Sequence, residues 1–171
     1  GKALYIGISR WPYEATQFAY KYLAERNVPC LIYQGRYHIF DRAPETEGIL
    51  QQAKENGTGF IGFSPLAQGL LTDRYLNGIP QDSRIAHGGH LKKEALTETT
   101  LRRISALNEV AKRRGQTLAE MALAWILKDD MVTSVIVGVS STAQLEKNLK
   151  AISNTTFSSE ELQEIENICK E

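Results

Sequence analysis

The residues whose types and spacing are best suited to chemistry lie between Gly57 and Arg84. A short apolar run, Phe60–Phe63, is flanked by glycines and predicts a buried strand. Ser64 and Pro65 end that strand, because proline has no N–H to donate to a sheet ladder. Small residues then let the backbone come close to a ligand, and Arg74 supplies a positive charge. Backbone amides and an arginine together are what an anionic ligand needs.

The same stretch has a plainer interpretation. Its composition is also that of an ordinary turn between a strand and a helix with Arg74 in solvent, and phosphate-binding signals as loose as this one are weak. The segment from Ala67 to Tyr75 fits either a helix or a loop. On these residues alone both interpretations stay open.

Two other groups of reactive side chains stand out. Tyr37 and His38 are adjacent and suggest a proton donor, although a loop tyrosine beside a loop histidine is the favoured interpretation. Proton transfer needs hydrogen-bond reach and a tuned pKa, which sequence does not display. His87 and His90 flank two glycines and suggest a metal, but no carboxylate or thiolate that would complete the ligand set is evident. We therefore predict neither catalytic nor metal-binding residues.

Charge and cysteine content narrow the class of protein. The 20 acidic and 20 basic residues cancel in a chain of 171 residues, so neither nucleic acid nor an anionic membrane is an expected partner. Cys30 and Cys169 lie far apart and are typical of a reducing compartment. No apolar run approaches the roughly 20 residues that a bilayer requires, and no secretory signal opens the chain. We expect a cytoplasmic protein without membrane insertion.

Strands and helices alternate along the chain. Short apolar runs predict four strands, at residues 4–8, 30–34, 58–63 and 132–138. Helical spacing predicts helices at 14–26, 44–56, 99–114, 117–127 and 141–151, and one that begins at Ser158. A long irregular stretch, about 77–96, is typical of a functional lid. The chain length predicts a single domain over residues 1–171.

This alternation predicts parallel βαβ units in an α/β fold. No G-x-G-x-x-G motif follows a predicted strand, which disfavours a Rossmann unit. Polar residues follow the strands instead, as they do at the active face of a TIM-type (β/α)8 barrel. A complete barrel takes about 250 residues and about eight strands, so this chain supplies about four βα units and a C-terminal helix.

Four segments carry a resemblance to a known family. They read YIGISRW at 5–11, LIYQGRYHIFDR at 31–42, GFSPLAQGLLTDRY at 62–75 with GIPQDSR at 78–84, and SVIVGVSSTAQLEKNL at 134–149. In this order and spacing they resemble strands five to eight of aldo-keto reductases, the C-terminal half of that barrel. The resemblance is greatest to the branch that includes the voltage-gated potassium channel β subunits.

The resemblance implies an NADP site in this half of the fold. Ser9 and Gln34 would bind the nicotinamide carboxamide, Arg10 would line the adjacent site, and Phe63 would stack on the nicotinamide ring. The implied diphosphate contacts are Ser64, Leu66 and Gln68, with Arg74 as the charge, and Arg84 would bind the 2′-phosphate and favour NADP over NAD. The adenosine end would be held by Gly138, Ser140, Gln144 and Asn148.

Each assignment has a structural alternative. Phe63 is also a plausible core residue, Arg10 and Arg84 plausible surface charges, and Gln144 a capping residue for its own helix. Lys147 departs from the family, which typically has a glutamate there, and this puts one adenine contact in doubt. The family's catalytic tyrosine, lysine, aspartate and histidine belong to the other half, and no segment here matches their motifs.

Two functions follow from the resemblance. The chain is either the cofactor-binding half of an NADP-dependent reductase of aldehydes or ketones, present as a fragment, or a non-catalytic NADP-binding regulatory module. Four βα units would leave two sheet edges and an apolar lining exposed, with Tyr5, Ile32 and Ile61 as candidate lining residues. We therefore expect as partners a small carbonyl substrate and either an N-terminal half-barrel or a second copy of the chain.

Overall fold

The computed structural model describes residues 1–76, 78–79, 91 and 93–170. Its strands are β1 (Ile6–Ser9), β2 (Cys30–Arg36), β3 (Gly59–Phe63) and β4 (Ser134–Ile136). Its α-helices are α1 (Tyr13–Ala24), α2 (Ala43–Thr46), α3 (Ile49–Glu55), α4 (Glu98–Arg113), α5 (Leu118–Ile126), α6 (Thr142–Leu149) and α7 (Ser159–Lys170). Short 3-10 helices cover Ala67–Gly69, Asp73–Tyr75, Lys93–Ala95 and Lys150–Ser153.

The four strands form one parallel sheet in the order β1-β2-β3-β4. Helices α1, α2 and α3 separate the first three strands, so the predicted alternation of strands with helices is confirmed. Parallel strands need a crossover between them, and a helix is the usual crossover. β1 and β4 each have one neighbour in the sheet among the described residues, so each is an edge strand.

The chain divides into two compact units. The first unit comprises Gly1–Pro65 and Asp129–Val137, and the second comprises Leu66–Lys128 and Gly138–Glu171. The whole sheet therefore belongs to the first unit, and α4 to α7 belong to the second. The single-domain assignment for residues 1–171 stays a prediction.

The core of the first unit contains residues that the sequence predicts to be buried. Ile49, Leu50 and Ala53 of α3 are buried, as their spacing predicts, and Phe60 of β3 is fully buried. The prediction of one continuous helix over residues 44–56 is wrong, because two helices cover this segment. Gly48 adopts a left-handed backbone with φ 78°, which ends α2 before α3 begins.

The second unit is built around α5, which is buried on nearly every side. A helix that is apolar all round belongs in a core, and Met121, Trp125 and Ile126 are each at most 2% exposed. Thr117 and Glu120 form the predicted capping box, with Glu120 Oε2 accepting from the Thr117 N–H at 2.9 Å. Ser158 and Glu161 form the second predicted box at the start of α7.

Several predicted boundaries and faces differ from the structure. β2 continues to Arg36, so Gln34 lies inside the strand rather than at its end. In α1 the buried residues are Thr16 and Tyr20, whereas Phe18 and Tyr22 of the predicted apolar spacing are exposed. The predicted apolar face of the helix at 141–151 is also exposed, with Leu149 55% and Ile152 67% accessible. Apolar spacing identifies a helix, but packing partners decide which face is buried.

Candidate cofactor site

In the first unit the implied ligand-binding residues meet at the carboxyl end of the sheet. Ser9 ends β1 and lies opposite Gln34 in the parallel register. The Arg10 N–H donates to the Gln34 carbonyl at 3.1 Å, which extends the ladder by one bond past the strand. Phe63 ends β3 and is half-buried, opposite Arg36 of β2. The structure thus gathers three of the implied nicotinamide contacts at one edge of one sheet.

Two residues at this edge have a left-handed backbone. Arg10 has φ 56° directly after β1, and Ser64 has φ 54° directly after β3. This conformation is unfavourable for any residue with a Cβ, and it clusters at functional sites because surrounding contacts must hold it there. Sequence reasoning missed both features, since neither position is a glycine or an asparagine. At this edge Ser9 and Arg10 are exposed and Ser64 is half-buried.

The implied diphosphate residues of the second unit lie in an irregular segment. Ala67 and Gln68 have φ 47° and 59°, and a short 3-10 helix covers Ala67–Gly69. Arg74 is exposed in the following 3-10 helix, and its N–H donates to Thr72 Oγ1 at 3.3 Å. The sequence left a helix and a loop open for Ala67–Tyr75, and the structure shows no continuous helix there but two short 3-10 turns.

The implied adenosine residues of the second unit gather at the start of α6. Gln144 Oε1 accepts from the Ser140 N–H at 2.9 Å and from the Ser140 hydroxyl at 3.2 Å. Ser141 caps the helix by accepting from the Gln144 N–H at 3.2 Å. All of these bonds are local to the start of α6, so the structure places Gln144 as a capping residue of its own helix, the structural alternative named above. Gly138 is exposed, and a Cβ built there meets no atom within 4 Å.

Asn148 is the buried member of this group. It is 8% exposed, and its Nδ2 has no hydrogen-bond partner among the described residues. A buried amide N–H without a partner is costly, so such a group calls for an explanation. A ligand that accepts a hydrogen bond would provide one. Lys147, the departure from the family pattern, is exposed on the preceding position of α6.

Tyr37 and His38 are not placed for catalysis. Tyr37 is fully buried, its hydroxyl donates to Glu45 Oε2 at 2.8 Å, and burial raises its pKa further above the ordinary tyrosine range. His38 is 7% exposed, and burial lowers its pKa to about 4. A proton donor must reach substrate. Both side chains are instead enclosed; in the backbone Tyr37 follows β2 and His38 forms an isolated bridge with Asp41.

Three predicted features fall outside the described residues: Arg84, His87 and His90. Within the part of the chain that the structure describes, no group of three or more His, Cys, Asp or Glu side chains is placed to hold a metal ion. Over the same residues, no helix has the length and apolar character needed to span a bilayer.

Comparison with known proteins identifies relatives over nearly the whole chain. A model of the aldo/keto reductase family matches residues 1–170. The L-glyceraldehyde 3-phosphate reductases of Escherichia coli K12 and Escherichia coli O157:H7 are each 49% identical over 170 residues, which is 97% of this chain and 49% of the relative. The chain thus spans about half the length of the curated relatives it matches.

A solved structure shows the same fold. A thermostable aldo-keto reductase, crystallised with the inhibitor epalrestat, superposes with a TM-score of 0.67 and 24% sequence identity. The superposition covers 96% of this chain and 48% of that one. At this identity the match concerns the backbone alone, and it places the parallel sheet and its helices in the predicted TIM-barrel class.

Proposed function

Because the chain belongs to the aldo-keto reductase family, we propose that it is the cofactor-binding part of an NADPH-dependent reductase of aldehydes or ketones. The observation that carries the proposal is the family match over residues 1–170, on a sheet whose carboxyl end holds Ser9, Gln34 and Phe63. Members of this family generally use NAD(P)H. NADP itself, rather than NAD, is our proposal.

Two features, each taken within its own unit, suit parts of a dinucleotide. A half-buried aromatic ring at the end of β3, Phe63, offers a flat apolar face, and Asn148 offers a buried amide N–H without a partner. When bound, the dinucleotide would supply the hydride. Ser9 and Gln34 would hold its carboxamide, with Arg10 beside them.

The remaining implied contacts are assigned to the rest of the dinucleotide. Ser64, Leu66, Gln68 and Arg74 would bind the diphosphate, and Arg84 the 2′-phosphate. Gly138, Ser140, Gln144 and Asn148 would bind the adenosine end.

We further propose that the four strands are strands five to eight of the family barrel. The order of the four motifs along the chain supports this assignment. It predicts that the reading frame of the whole protein contains a second half before residue 1, with the catalytic aspartate, tyrosine, lysine and histidine. The opposite assignment, strands one to four, predicts the second half after residue 171. The reading frame of the whole protein distinguishes the two, because it shows whether the second half is encoded before residue 1 or after residue 171.

A non-catalytic regulatory module, as in the potassium channel β subunits, is the alternative and is not favoured. The two curated relatives are both named as reductases. The substrate in their name, L-glyceraldehyde 3-phosphate, makes a small phosphorylated aldehyde a reasonable first substrate to test. The cytoplasm is the proposed location, and the other half of a barrel is the proposed protein partner.

Cofactor binding tests the proposal directly. We expect the chain to bind NADPH more tightly than NADH in a fluorescence titration, because Arg84 would pair with the 2′-phosphate. Arg84→Ala removes one charge-assisted bond, worth roughly 1.5–3 kcal/mol, and should weaken NADPH binding by about tenfold or more.

NADH binding should hardly change in the same variant. Arg102→Ala, an exposed change of equal charge on α4, is the matched control. Equal losses for both cofactors would show that Arg84 does not recognise the 2′-phosphate. Absence of binding to either cofactor would contradict the proposed function.

A further inference from the structure

The turn that carries Arg10 is held in a strained form by hydrogen bonds on both sides. Arg10 has φ 56°, a conformation that a residue with a Cβ adopts only when its surroundings impose it. Before it, the Arg10 N–H donates to the Gln34 carbonyl at 3.1 Å. After it, the Trp11 carbonyl accepts from the Tyr33 hydroxyl at 2.7 Å. The two bonds fix the backbone on either side of the strained residue.

The Tyr33 hydroxyl is the stronger of the donors near that carbonyl. The Thr16 hydroxyl also lies 3.4 Å from the Trp11 carbonyl, but it makes a shorter bond of 3.0 Å to the Pro12 carbonyl. Burial raises the pKa of the Tyr33 hydroxyl, so the group stays protonated and able to donate throughout the neutral range. The bond therefore does not depend on pH under ordinary conditions.

The ring that carries this hydroxyl is itself fixed. Tyr33 is 3% exposed and stacks on Phe60 at 5.7 Å between ring centroids, with the two planes 14° apart. A Cβ at Gly35 would lie only 2.8 Å from Phe60 Cζ, so the absence of a side chain at Gly35 gives the Phe60 ring its place. Because the ring of Tyr33 is fixed, its hydroxyl is held in one position, where it bonds to the carbonyl of the strained turn.

From this arrangement we propose that Tyr33 is a positioning residue, which holds the turn after β1 so that Ser9 and Arg10 face the nicotinamide end of the cofactor. The inference rests on the proposed function for its ligand. It goes beyond that function in naming a residue that touches no ligand and acts through the turn. Neither residue type nor spacing pointed to Tyr33.

The same ring cluster contains a matched control. Tyr37 meets Phe60 edge-on at 6.2 Å, and its hydroxyl bonds to Glu45, which also pairs with Arg42. The Tyr37 hydroxyl therefore holds the segment around α2 by a hydrogen bond, as the Tyr33 hydroxyl holds the turn after β1. Tyr→Phe at either position removes one hydroxyl and keeps the ring, so each variant should loosen one segment and leave the other unchanged.

Limited trypsin digestion of the whole chain separates the two segments. Trypsin cleaves after arginine, and Arg10 and Arg42 each have a proline two positions later, so each variant is compared with the wild type at the same site. We expect Tyr33→Phe to raise the native-state cleavage rate after Arg10 by about threefold to tenfold, with the rate after Arg42 unchanged. Tyr37→Phe should do the reverse. Mass spectrometry of the released peptides measures both rates.

Two digestion results would overturn the proposal. One is an unchanged rate after Arg10 in Tyr33→Phe, which would show that the hydroxyl does not hold the turn. The other is an equal rise at both sites, which would show a general loss of stability rather than a local release. Cleavage needs no cofactor, so this result does not depend on the proposed function.

A binding comparison then tests the functional part. We expect Tyr33→Phe to weaken NADPH binding by about threefold to tenfold and to leave 2′-phospho-ADP-ribose, which lacks the nicotinamide, unaffected. Equal losses for both ligands would overturn the positioning role. Failure of the wild-type chain to bind NADPH would instead contradict the proposed function, and cleavage after Arg10 would still decide whether Tyr33 holds the turn.

Discussion

Tyr37 and His38 carry the groups next to the sheet that most invite a catalytic interpretation, and burial decides against it. The Tyr37 hydroxyl is engaged with Glu45, and His38 Nδ1 is buried without a hydrogen-bond partner among the described residues. A neutral imidazole tolerates such an environment, whereas a charged one does not. Protonation of the His38 imidazole is therefore unfavourable in the folded chain.

This burial predicts how stability depends on pH. The pKa of His38 is lowered by burial to about 4, against an ordinary 6.5, with Asp41 opposing that shift and Arg36 adding to it. Between these two values the unfolded chain binds a proton that the folded chain does not, so stability falls as pH falls from 6.5 to 4. At about 1.4 kcal/mol per pKa unit, the loss is about 3 kcal/mol.

The measurement is urea unfolding of the wild type and of His38→Gln at several pH values. Glutamine keeps a polar side chain of similar size but does not titrate. The wild type should lose about 3 kcal/mol more than the variant between pH 7 and pH 4. Parallel stability curves for the two proteins would show that His38 is accessible to protons in the folded state.

At the scale of elements, a single arginine joins the end of α4 to the segment before α7. Arg114 has a side chain that is 4% exposed, and its guanidinium bonds to Glu161 at 2.8 Å and to the Thr156 carbonyl at 2.9 Å. It also lies 3.6 Å from the centroid of the Phe157 ring. Carboxylate, carbonyl and ring together satisfy a buried charge that would otherwise be costly.

We predict that Arg114→Ala destabilises the chain by about 3–5 kcal/mol, since it removes the buried charge that pairs with Glu161 and the donor to the Thr156 carbonyl. The neighbouring Arg113 bonds both oxygens of Glu164 at 2.6 Å, but the two side chains are 57% and 46% exposed. Arg113→Ala should therefore cost about 1 kcal/mol or less. Denaturant unfolding of both variants checks this, and similar losses would contradict the assigned role of Arg114.

At the scale of the whole molecule, several large apolar side chains are exposed. Tyr5 is 67% exposed, as expected for a lining residue, although Ile32 and Ile61 are half-buried. Phe18 and Tyr22 stack on the exposed face of α1, with ring centroids 6.1 Å apart. Exposed apolar surface and unpaired strand edges both favour association.

We predict that the isolated chain does not persist as a stable monomer. It should associate with a second copy, or require the other half of its barrel. Light scattering of the purified chain at several concentrations should show a mass above that of one chain. Phe18→Lys with Tyr22→Lys, on the exposed face of α1, should lower that mass if α1 takes part. A monomer at all concentrations, with cooperative unfolding, would contradict the prediction.

We also predict that the isolated chain lacks carbonyl reductase activity, because the proposed proton donor belongs to the other half. Purified chain of verified mass is assayed with NADPH and either methylglyoxal or L-glyceraldehyde 3-phosphate. Turnover that exceeds a tag-only control and survives repurification would show that this half carries its own proton donor. Tyr37 and His38 would then be the first positions to substitute.

The sequence by itself determined the features that depend on local chemistry. The strands at Cys30–Arg36 and Gly59–Phe63, the capping boxes at Thr117 and Ser158, and the apolar face of α3 all follow from periodicity and short-range hydrogen bonding. Parallel order also follows, because strands joined through helices pair in that way. The positions of Ser9 and Phe63 at strand ends come from the same reasoning, whereas Gln34 lies inside β2.

Only the tertiary structure decided the features that depend on distant partners. The left-handed turns at Arg10 and Ser64 exist because contacts elsewhere hold them, and no local preference of arginine or serine predicts them. The hydroxyl of Tyr33 meets the carbonyl of Trp11 across 22 positions of sequence. The exposed faces of α1 and α6 likewise show that apolar spacing marks a helix, while burial requires a neighbour to pack against.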